Sequence, residues 1–329
     1  MMNRRDFGFL SLASLSASAM PSLTFAQAKF PERPIKLVVP FSAGGVNDIV
    51  GRQWAEKMRV PLGAVYVENM GGAGGTLGVM DVARAEADGH TILLGSGSTM
   101  MLNEMTMSSL PYDSNRDFTP IAIFCVSTTS IAVNASVPVK NVKELVAYAK
   151  ANPGRLSYGS AGTSTMSHLS GELFKLRTGL QEVVHVPYKG AGPGIADLVS
   201  GHIPMMSPNI SGQILAFHNS GKIRVLAVNA KERMKAAPEI PTAIEQGVSD
   251  MVGQLFLGIF ARAGTPGSVL DRIADATKKI MADEAFEKSL LASGFEAVSY
   301  FGAEQGRRYL AEEHARWKPV VDAIGLKVR

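Results

Sequence analysis

Short strand-like runs that each end in a turn rich in Gly and Ser constrain the fold of this chain more than any other feature. The four pairs of run and turn are 35–39 with 40–45, 64–68 with 69–76, 156–159 with 160–165, and 183–186 with 187–193. Segments whose apolar residues recur at helical spacing follow the turns, as Val46, Ile49, Val50 and Trp54 do after the first. Strands that alternate with helices in this way predict an α/β protein with largely parallel sheets.

The length of 329 residues is sufficient for two domains, each with its own core. Two apolar segments, 120–126 and 255–260, separate the two sets of alternating strands and helices. We interpret them as hinge strands that join a first domain (29–125 and 252–329) to a second domain (126–251). A single continuous sheet is the alternative, and composition alone leaves it open.

Residues 1–28 have the order of a secretory signal peptide, which is a basic start, an apolar stretch and a small-residue cleavage site ending at Ala28. The pair Arg4 and Arg5 resembles a twin-arginine signal, although Gly8 stands where that pattern usually has an apolar residue. An ordinary signal peptide is therefore the alternative. We expect export and cleavage after about Ala28, and no later stretch approaches the ~20 apolar residues that span a bilayer.

Composition and spacing argue against several classes of protein. The net charge is only +4, from 33 basic and 29 acidic residues, and aromatic residues make up 7% of the chain, so a nucleic-acid groove is poorly supported. The lone Cys125 has no CxxC partner and the six histidines form no HxxxH pair, so we expect no metal site. The segment 159–162 is one residue short of GxSxG, and the turn 71–78 does not complete GxGxxG.

The four turns suit a small anion. At the end of a parallel strand, such a turn directs several backbone N–H groups at one point, and the helix behind it adds partial positive charge. Glycine lets a ligand approach that backbone closely, and in open α/β sheets the ligand crevice lies at these strand ends. The alternative is that the glycines only permit tight turns. Asp48, in the first helical turn, either caps that helix or fixes the shape of the first turn.

Several segments in order, over nearly the whole chain after residue 28, resemble the Bug family, the substrate-binding receptors of tripartite tricarboxylate transporters. The segments that carry the resemblance are Val39–Asp48 with Arg52, Glu68–Gly78, Tyr158–Leu169, His185–Leu198, Leu226–Val228 with Arg233, Pro238–Thr242 with Glu245 and Gly247, and Ala261 with Gly264–Pro266. An ordered match of this extent is more specific than any single motif.

The resemblance implies a two-domain periplasmic binding protein of the type II, Venus-flytrap class, with a ligand cleft between the domains. It implies a small carboxylate ligand (a di- or tricarboxylate or an aromatic acid), membrane transporter subunits as partners, a periplasmic location and a monomer. It also implies no catalysis, cofactor or nucleic-acid partner. A ligand-sensing receptor of the same fold that acts in signalling, or an exported enzyme, are the alternatives.

The resemblance also assigns candidate ligand-binding residues to both sides of the cleft. The candidates in the first domain are Phe41, Ser42, Ala43, Gly45, Ala73, Gly74, Thr76 and Ser98, and those in the second are Ser160, Gly162, Thr163, Ser164 and Tyr188. We expect a bulky residue at Gly74 to fill the anion site and abolish binding, with the fold largely intact.

One segment departs from the family pattern. Near Met206 the family often has an acidic residue, whereas 207–209 here is the neutral Ser-Pro-Asn. If that acidic residue pairs with a ligand ammonium, its absence argues against an amino acid as the ligand. Tight binding of aspartate or glutamate would contradict this hypothesis.

Overall fold

The computed structural model of the chain describes residues 30–328, and the expected signal peptide at 1–28 lies outside them. Within this range, no helix is both long enough and apolar enough to cross a membrane. The strands of the described residues are β1 (Ile35–Val39), β2 (Val65–Asn69), β3 (Thr91–Ser96), β4 (Phe118–Thr128), β5 (Ser130–Asn134), β6 (Ser157–Ser160), β7 (Val184–Pro187), β8 (Met205–Met206), β9 (Ile223–Val228), β10 (Gln254–Arg262) and β11 (Phe295–Phe301).

The helices surround these strands. They are α1 (Val46–Leu62), α2 (Thr76–Arg84), α3 (Asn103–Thr106), α4 (Ser114–Asp117), α5 (Val142–Ala151), α6 (Met166–Thr178), α7 (Ala191–Ser200), α8 (Gly212–Asn219), α9 (Gly267–Met281), α10 (Glu284–Ala292) and α11 (Gly302–Ile324). A 3-10 turn at Ala73–Gly75 precedes α2, and a π-helical turn at Ser98–Leu102 follows β3.

Two sheets form, with the strand orders β11-β4-β10-β3-β1-β2 and β7-β6-β8-β5-β9. Strand β1 pairs in parallel with β2 and β3, and β6 pairs in parallel with β7 and β8. However, β10 is antiparallel to β3 and β4, β11 to β4, and β5 to β8 and β9. The prediction of largely parallel sheets is therefore wrong. Strand β4 carries the chain toward the second sheet and β10 carries it back, so these neighbours must run in opposite directions.

The two crossings between the sheets meet at Thr129 and Gly253. The backbone N–H of Thr129 donates to the Gly253 carbonyl at 2.7 Å, and the Asn229 amide donates to the Thr129 hydroxyl at 2.9 Å. A Cβ atom on Gly253 would lie 2.2 Å from the Thr129 hydroxyl, so only glycine fits there. We propose the division expected above and call 29–125 with 252–329 lobe 1, and 126–251 lobe 2.

Apolar faces of the helices cover both sheets. On α1, Val46, Val50, Trp54 and Met58 are buried at helical spacing, and Trp54 donates from its indole nitrogen to the Thr277 hydroxyl at 3.2 Å. In lobe 2, a separate core forms around the strands of the second sheet and includes Val133, Tyr158, Leu173 and Phe174. These packed sheets hold the strand ends, and hence the four turns, in fixed positions.

Candidate ligand-binding cleft

The turns that follow β1 and β7 touch each other across the gap between the lobes. The backbone N–H and the hydroxyl of Ser42 both donate to the Lys189 carbonyl, at 3.2 and 3.0 Å. A Cβ atom on Gly192 would lie 2.0 Å from the Ala43 carbonyl oxygen. The structure therefore has a closed cleft with backbone against backbone.

Two helices begin at this contact, one from each lobe. Gly45 precedes α1 and Gly190 precedes α7, and neither glycine provides a side-chain hydrogen bond to its helix. A Cβ atom on Gly45 would lie 3.3 Å from the Cβ of Ala191. The first N–H groups of a helix have no partner inside it, and they carry partial positive charge. Two positive helix ends that face each other are stabilised by an anion between them.

Helix α6 differs from these two because the protein satisfies its first N–H groups. The Met166 N–H donates to the Ser98 hydroxyl at 3.0 Å, and the His168 N–H donates to the Thr165 hydroxyl at 3.2 Å. The first of these bonds joins lobe 2 to lobe 1. The free donors at the cleft therefore belong to α1 and α7 rather than to α6.

A small cavity lies between the lobes at this point. Its volume is about 20 Å³, which is room for about one water molecule. The lining residues are Phe41, Gly45, Val46, Asn47, Ser98, Ala161, Thr165, Ser167, Ala191, Asn209 and Leu255. None of them is charged, so backbone dipoles, hydroxyls and amides supply the polarity of the cavity.

Three of the candidates from the sequence, Phe41, Gly45 and Ser98, line this cavity. Ser42 and Ala43 lie at its rim, where they form the contacts with Lys189 and Gly192 described above. The other eight candidates lie outside the lining. Their assignment to the ligand site stays a prediction.

The second turn meets lobe 2 at a different point. Gly74 has a φ of 62°, and a Cβ atom on it would lie 2.7 Å from the Thr163 carbonyl oxygen. Ala73 is exposed with a φ of 47°, and the buried Thr76 hydroxyl donates to the Met107 sulfur at 3.8 Å. A side chain at Gly74 would therefore press against Thr163 and strain its own backbone, whereas we expected it to fill the anion site.

Two of the lobe 2 candidates, Ser160 and Gly162, are hydrogen-bonded to each other in the turn after β6, which we call the cleft wall. The Ser160 hydroxyl donates to the Gly162 carbonyl at 3.1 Å and lies 2.7 Å from Nε2 of His185. The Ser164 hydroxyl is buried without a partner among residues 30–328. The Tyr188 hydroxyl donates to the Asp197 carboxylate at 2.7 Å, away from the cavity.

Two histidines support this wall. The rings of His168 and His185 stack with centroids 3.9 Å apart. Burial lowers the pKa of His168 to about 4 and that of His185 to about 3. Both rings are therefore neutral at neutral pH, and the wall places no imidazolium charge next to the cleft.

Asp48 fixes the first turn. Its Oδ2 accepts from the Gly44 N–H at 3.0 Å, and its Oδ1 lies 2.9 Å from Nε of Arg52. Burial alone would raise the pKa of Asp48, but the hydrogen bonds from Arg52 and Gly44 outweigh it and hold the pKa below its usual range. The carboxylate remains ionised and holds the turn at the start of α1.

Sequence reasoning missed eight residues of the lining. They are Val46, Asn47, Ala161, Thr165, Ser167, Ala191, Asn209 and Leu255. Six of them lie inside the predicted turns or within two residues after one, so counting every residue of turns extended by two would have found these six. Asn209 belongs to the neutral segment 207–209 that had already been recognised as unusual. The sequence gives no indication that Leu255 lines the cavity, because a leucine is typical of any buried strand.

A second and larger concavity, which we call the back groove, lies on the other side of β10. Its volume is about 1060 Å³, and both lobes line it. Gln254 of β10 lines the back groove, whereas its neighbour Leu255 lines the cleft cavity, because successive strand residues point to opposite faces. The charged lining residues are Lys231, Glu232, Arg233, Lys235, Asp250, Glu284, Glu287, Lys288, Glu296 and Arg316.

Comparison with protein families and curated proteins gives a consistent result. The family model described as the tripartite tricarboxylate transporter family receptor matches residues 50–326. A UPF0065 protein from the tcbD-tcbE intergenic region of a Pseudomonas species is 37% identical over 284 residues, which cover 84% of this chain and 83% of that protein. Protein BugT of Bordetella pertussis is 31% identical over 302 residues, which cover 91% of this chain and 92% of BugT.

Solved structures share the fold. The periplasmic binding protein BugD matches with a TM-score of 0.86 and 31% identity, over 91% of this chain and 100% of that one. Rpa4515 of R. palustris, solved with adipate, has a TM-score of 0.86 and 30% identity, over 90% of this chain and 99% of that one. MatC of Rhodopseudomonas palustris, with bound malate, has a TM-score of 0.83 and 29% identity, over 89% of this chain and 100% of that one. The predicted α/β fold of a two-domain periplasmic binding protein is confirmed.

Proposed function

The chain belongs to the tripartite tricarboxylate transporter receptor family, which includes the Bug proteins, and from that premise we propose that it captures a small carboxylate in the periplasm for a membrane transporter. The ligand is a di- or tricarboxylate or an aromatic acid. The partners are transporter subunits of the tripartite tricarboxylate type, and the chain acts as a monomer after cleavage of its signal peptide near Ala28.

The observation that carries this proposal is the meeting of α1 and α7 at their N-terminal ends across the closed cleft. Without an anion, closure brings two positive helix ends together, which is unfavourable. A carboxylate between them accepts hydrogen bonds from the free N–H groups of both lobes and makes closure favourable. The acid thus adds to the direct bonds between lobe 1 and lobe 2, as a capture-and-close mechanism requires.

The chemistry of the cavity supports binding rather than catalysis. Members of the family with solved structures are described as solute-binding proteins. The cavity lining contains no Asp, Glu, His, Lys, Cys or Tyr side chain that could transfer a proton or attack a substrate. We therefore propose that the chain is not an enzyme and needs no cofactor.

The proposed ligand-contacting set combines the cavity lining with the thirteen candidates from the sequence. The adipate of Rpa4515 and the malate of MatC support a carboxylate as the ligand class. We propose that the candidates outside the lining contact those parts of a ligand that extend beyond this cavity.

A thermal-shift panel of mono-, di- and tricarboxylic and aromatic acids tests the proposal. An acid present at 100 times its dissociation constant should add about 2.7 kcal/mol to the free energy of unfolding. A clear rise in melting temperature with one group of acids supports the proposal and names that group. No rise with any acid, in protein that mass spectrometry shows to carry no retained ligand, contradicts it.

The transporter partnership needs its own experiment. Cells that lack this chain should lose most of their uptake of the radiolabelled acid that gives the largest thermal shift, and the gene supplied in trans should restore it. Unchanged uptake together with altered transcription in response to the acid would favour the signalling alternative.

A further inference from the structure

The hydrogen-bonding capacity of the cleft cavity is largely accounted for by the protein itself. The Thr165 hydroxyl donates to the Gly162 carbonyl at 2.7 Å and accepts from the His168 N–H. The Ser167 hydroxyl donates to the Ser207 carbonyl and accepts from the Ala161 N–H. These two hydroxyls therefore have no donor left for a ligand.

Asn209 keeps an acceptor free. Its side chain is 7% exposed, and its Nδ2 donates to the Ser127 carbonyl at 3.3 Å. A carbonyl oxygen can only accept, so this bond fixes which end of the amide faces Ser127. Because Nδ2 donates to the Ser127 carbonyl, Oδ1 is the polar atom of the Asn209 side chain that can contact a ligand.

Asn47 provides a second acceptor from lobe 1. Its side chain is 7% exposed and lines the same cavity, and its Oδ1 is buried without a partner in the described part of the chain. Buried acceptors are normally paired, so the unpaired Oδ1 of Asn47 is available to a donor that enters the cavity. A carboxylate cannot supply that donor, because it only accepts hydrogen bonds.

We propose that the ligand carries a neutral hydroxyl group in addition to its carboxylate, and that the amides of Asn209 and Asn47 select for that hydroxyl. This inference rests on the proposed capture of a carboxylate. A hydroxyl donates to one amide oxygen while the carboxylate accepts from the starts of α1 and α7. A ligand ammonium would also donate, but the cavity lining contains no carboxylate to balance its charge.

Matched acids that differ by one hydroxyl test the inference. The pairs are succinate with malate, propionate with lactate, and benzoate with 4-hydroxybenzoate, each measured by calorimetry on the unmodified protein. For the carbon skeleton that binds, we expect the hydroxy acid to bind at least about tenfold more tightly than its partner. Equal or tighter binding of the acid without the hydroxyl overturns the inference while the carboxylate function stands. Absence of binding by every acid contradicts the proposed function itself, and the inference with it.

Substitution of the amides tests their role. Asn209→Leu should bring the ratio of the two affinities close to one. Asn219→Leu, which replaces an exposed asparagine of the same lobe, should leave the ratio unchanged. If Asn209→Leu does not fold, Asn47→Leu tests the same point from lobe 1. An unchanged ratio in the folded variant overturns the assignment.

Discussion

The cleft cavity and the back groove lie on opposite sides of β10 and differ in almost every property. The cleft cavity holds about 20 Å³ and has no charged lining residue, whereas the back groove holds about 1060 Å³ and has ten. A choice between the two by size or by charge would favour the groove. We nevertheless assign the anion to the cleft, because free N–H groups in a water-excluded space attract an anion more strongly than solvated charges do.

The groove charges are weak attractors for a physical reason. Lys288 pairs with Glu284 at 3.2 Å, and their side chains are 77% and 85% exposed. Arg233 similarly pairs with Glu245 at 3.0 Å. Exposed pairs of this kind are screened by solvent and salt, and each contributes little. A charged side chain that is already paired and solvated attracts a ligand only weakly.

The sharpest test of this comparison is Gly192→Ala. The new Cβ would lie 2.0 Å from the Ala43 carbonyl, so the lobes could not close, while the α7 position itself favours Ala over Gly. We expect acid binding to weaken about 100-fold, with stability unchanged or slightly raised. Gly267→Ala, at the start of α9 with nothing within 4 Å of the added atom, is the matched control. Retained affinity in Gly192→Ala would mean that ligand binding does not require this closed cleft.

The second test uses pH, since the cleft wall depends on two neutral histidines. In the unfolded chain both histidines become protonated below about pH 6.5, whereas in the folded protein His168 and His185 stay neutral until the pH falls to about 4 and about 3. The free energy of unfolding should therefore decrease as the pH falls through this range. By pH 5 the loss should be about 2 kcal/mol per histidine. Urea unfolding at pH 7 and pH 5 measures it. His185→Gln should reduce the loss, whereas His202→Gln, whose side chain is 77% exposed, should not.

A third test concerns the turn in front of α1. Asp48→Ala removes the acceptor of the Gly44 N–H and the partner of Arg52, so we expect a loss of about 1–2 kcal/mol in stability and severalfold weaker acid binding. Arg52→Gln removes only the half-exposed partner and should cost about 0.5 kcal/mol or less. Denaturant unfolding and calorimetry measure both effects. Equal losses in the two variants would contradict the role of Asp48 in holding the turn.

The smallest effect is expected in the back groove. Reversing the charge of Lys231 or Lys288 to Glu should change acid affinity by less than about threefold, because these side chains are screened and lie across β10 from the cavity. Titration of each variant with the best acid of the panel measures this. A change of tenfold or more would show that the groove charges are coupled to the cleft, and the comparison would then fail.

Local patterns predicted most of the elements but not all of their boundaries or directions. The strand expected at 35–39 and the helix expected from Val46 are both present, the helix running on to Leu62. Helix α7 begins at Ala191, inside the turn predicted at 187–193 rather than after it, because Pro193 is tolerated in a first helical turn. That change matters for function, since it places the start of α7 at the cleft. The prediction of largely parallel sheets was wrong because strand pairing is a long-range property that periodicity does not encode.

In the candidate site, too, some features follow from the local sequence and others only from the tertiary structure. The suitability of the Gly-rich turns for an anion stays a prediction, but the turns themselves and their positions after strands were readable from the sequence, because they depend on residues close together in the chain. The partners across the cleft were not, since Ser42 and Lys189 are 147 residues apart. Lobe closure alone decided that α1 meets α7, that Ser98 completes the start of α6, and that Asn209 joins the cavity. Local sequence thus determined where the turns form, and the packing of two separate cores determined which turns lie together.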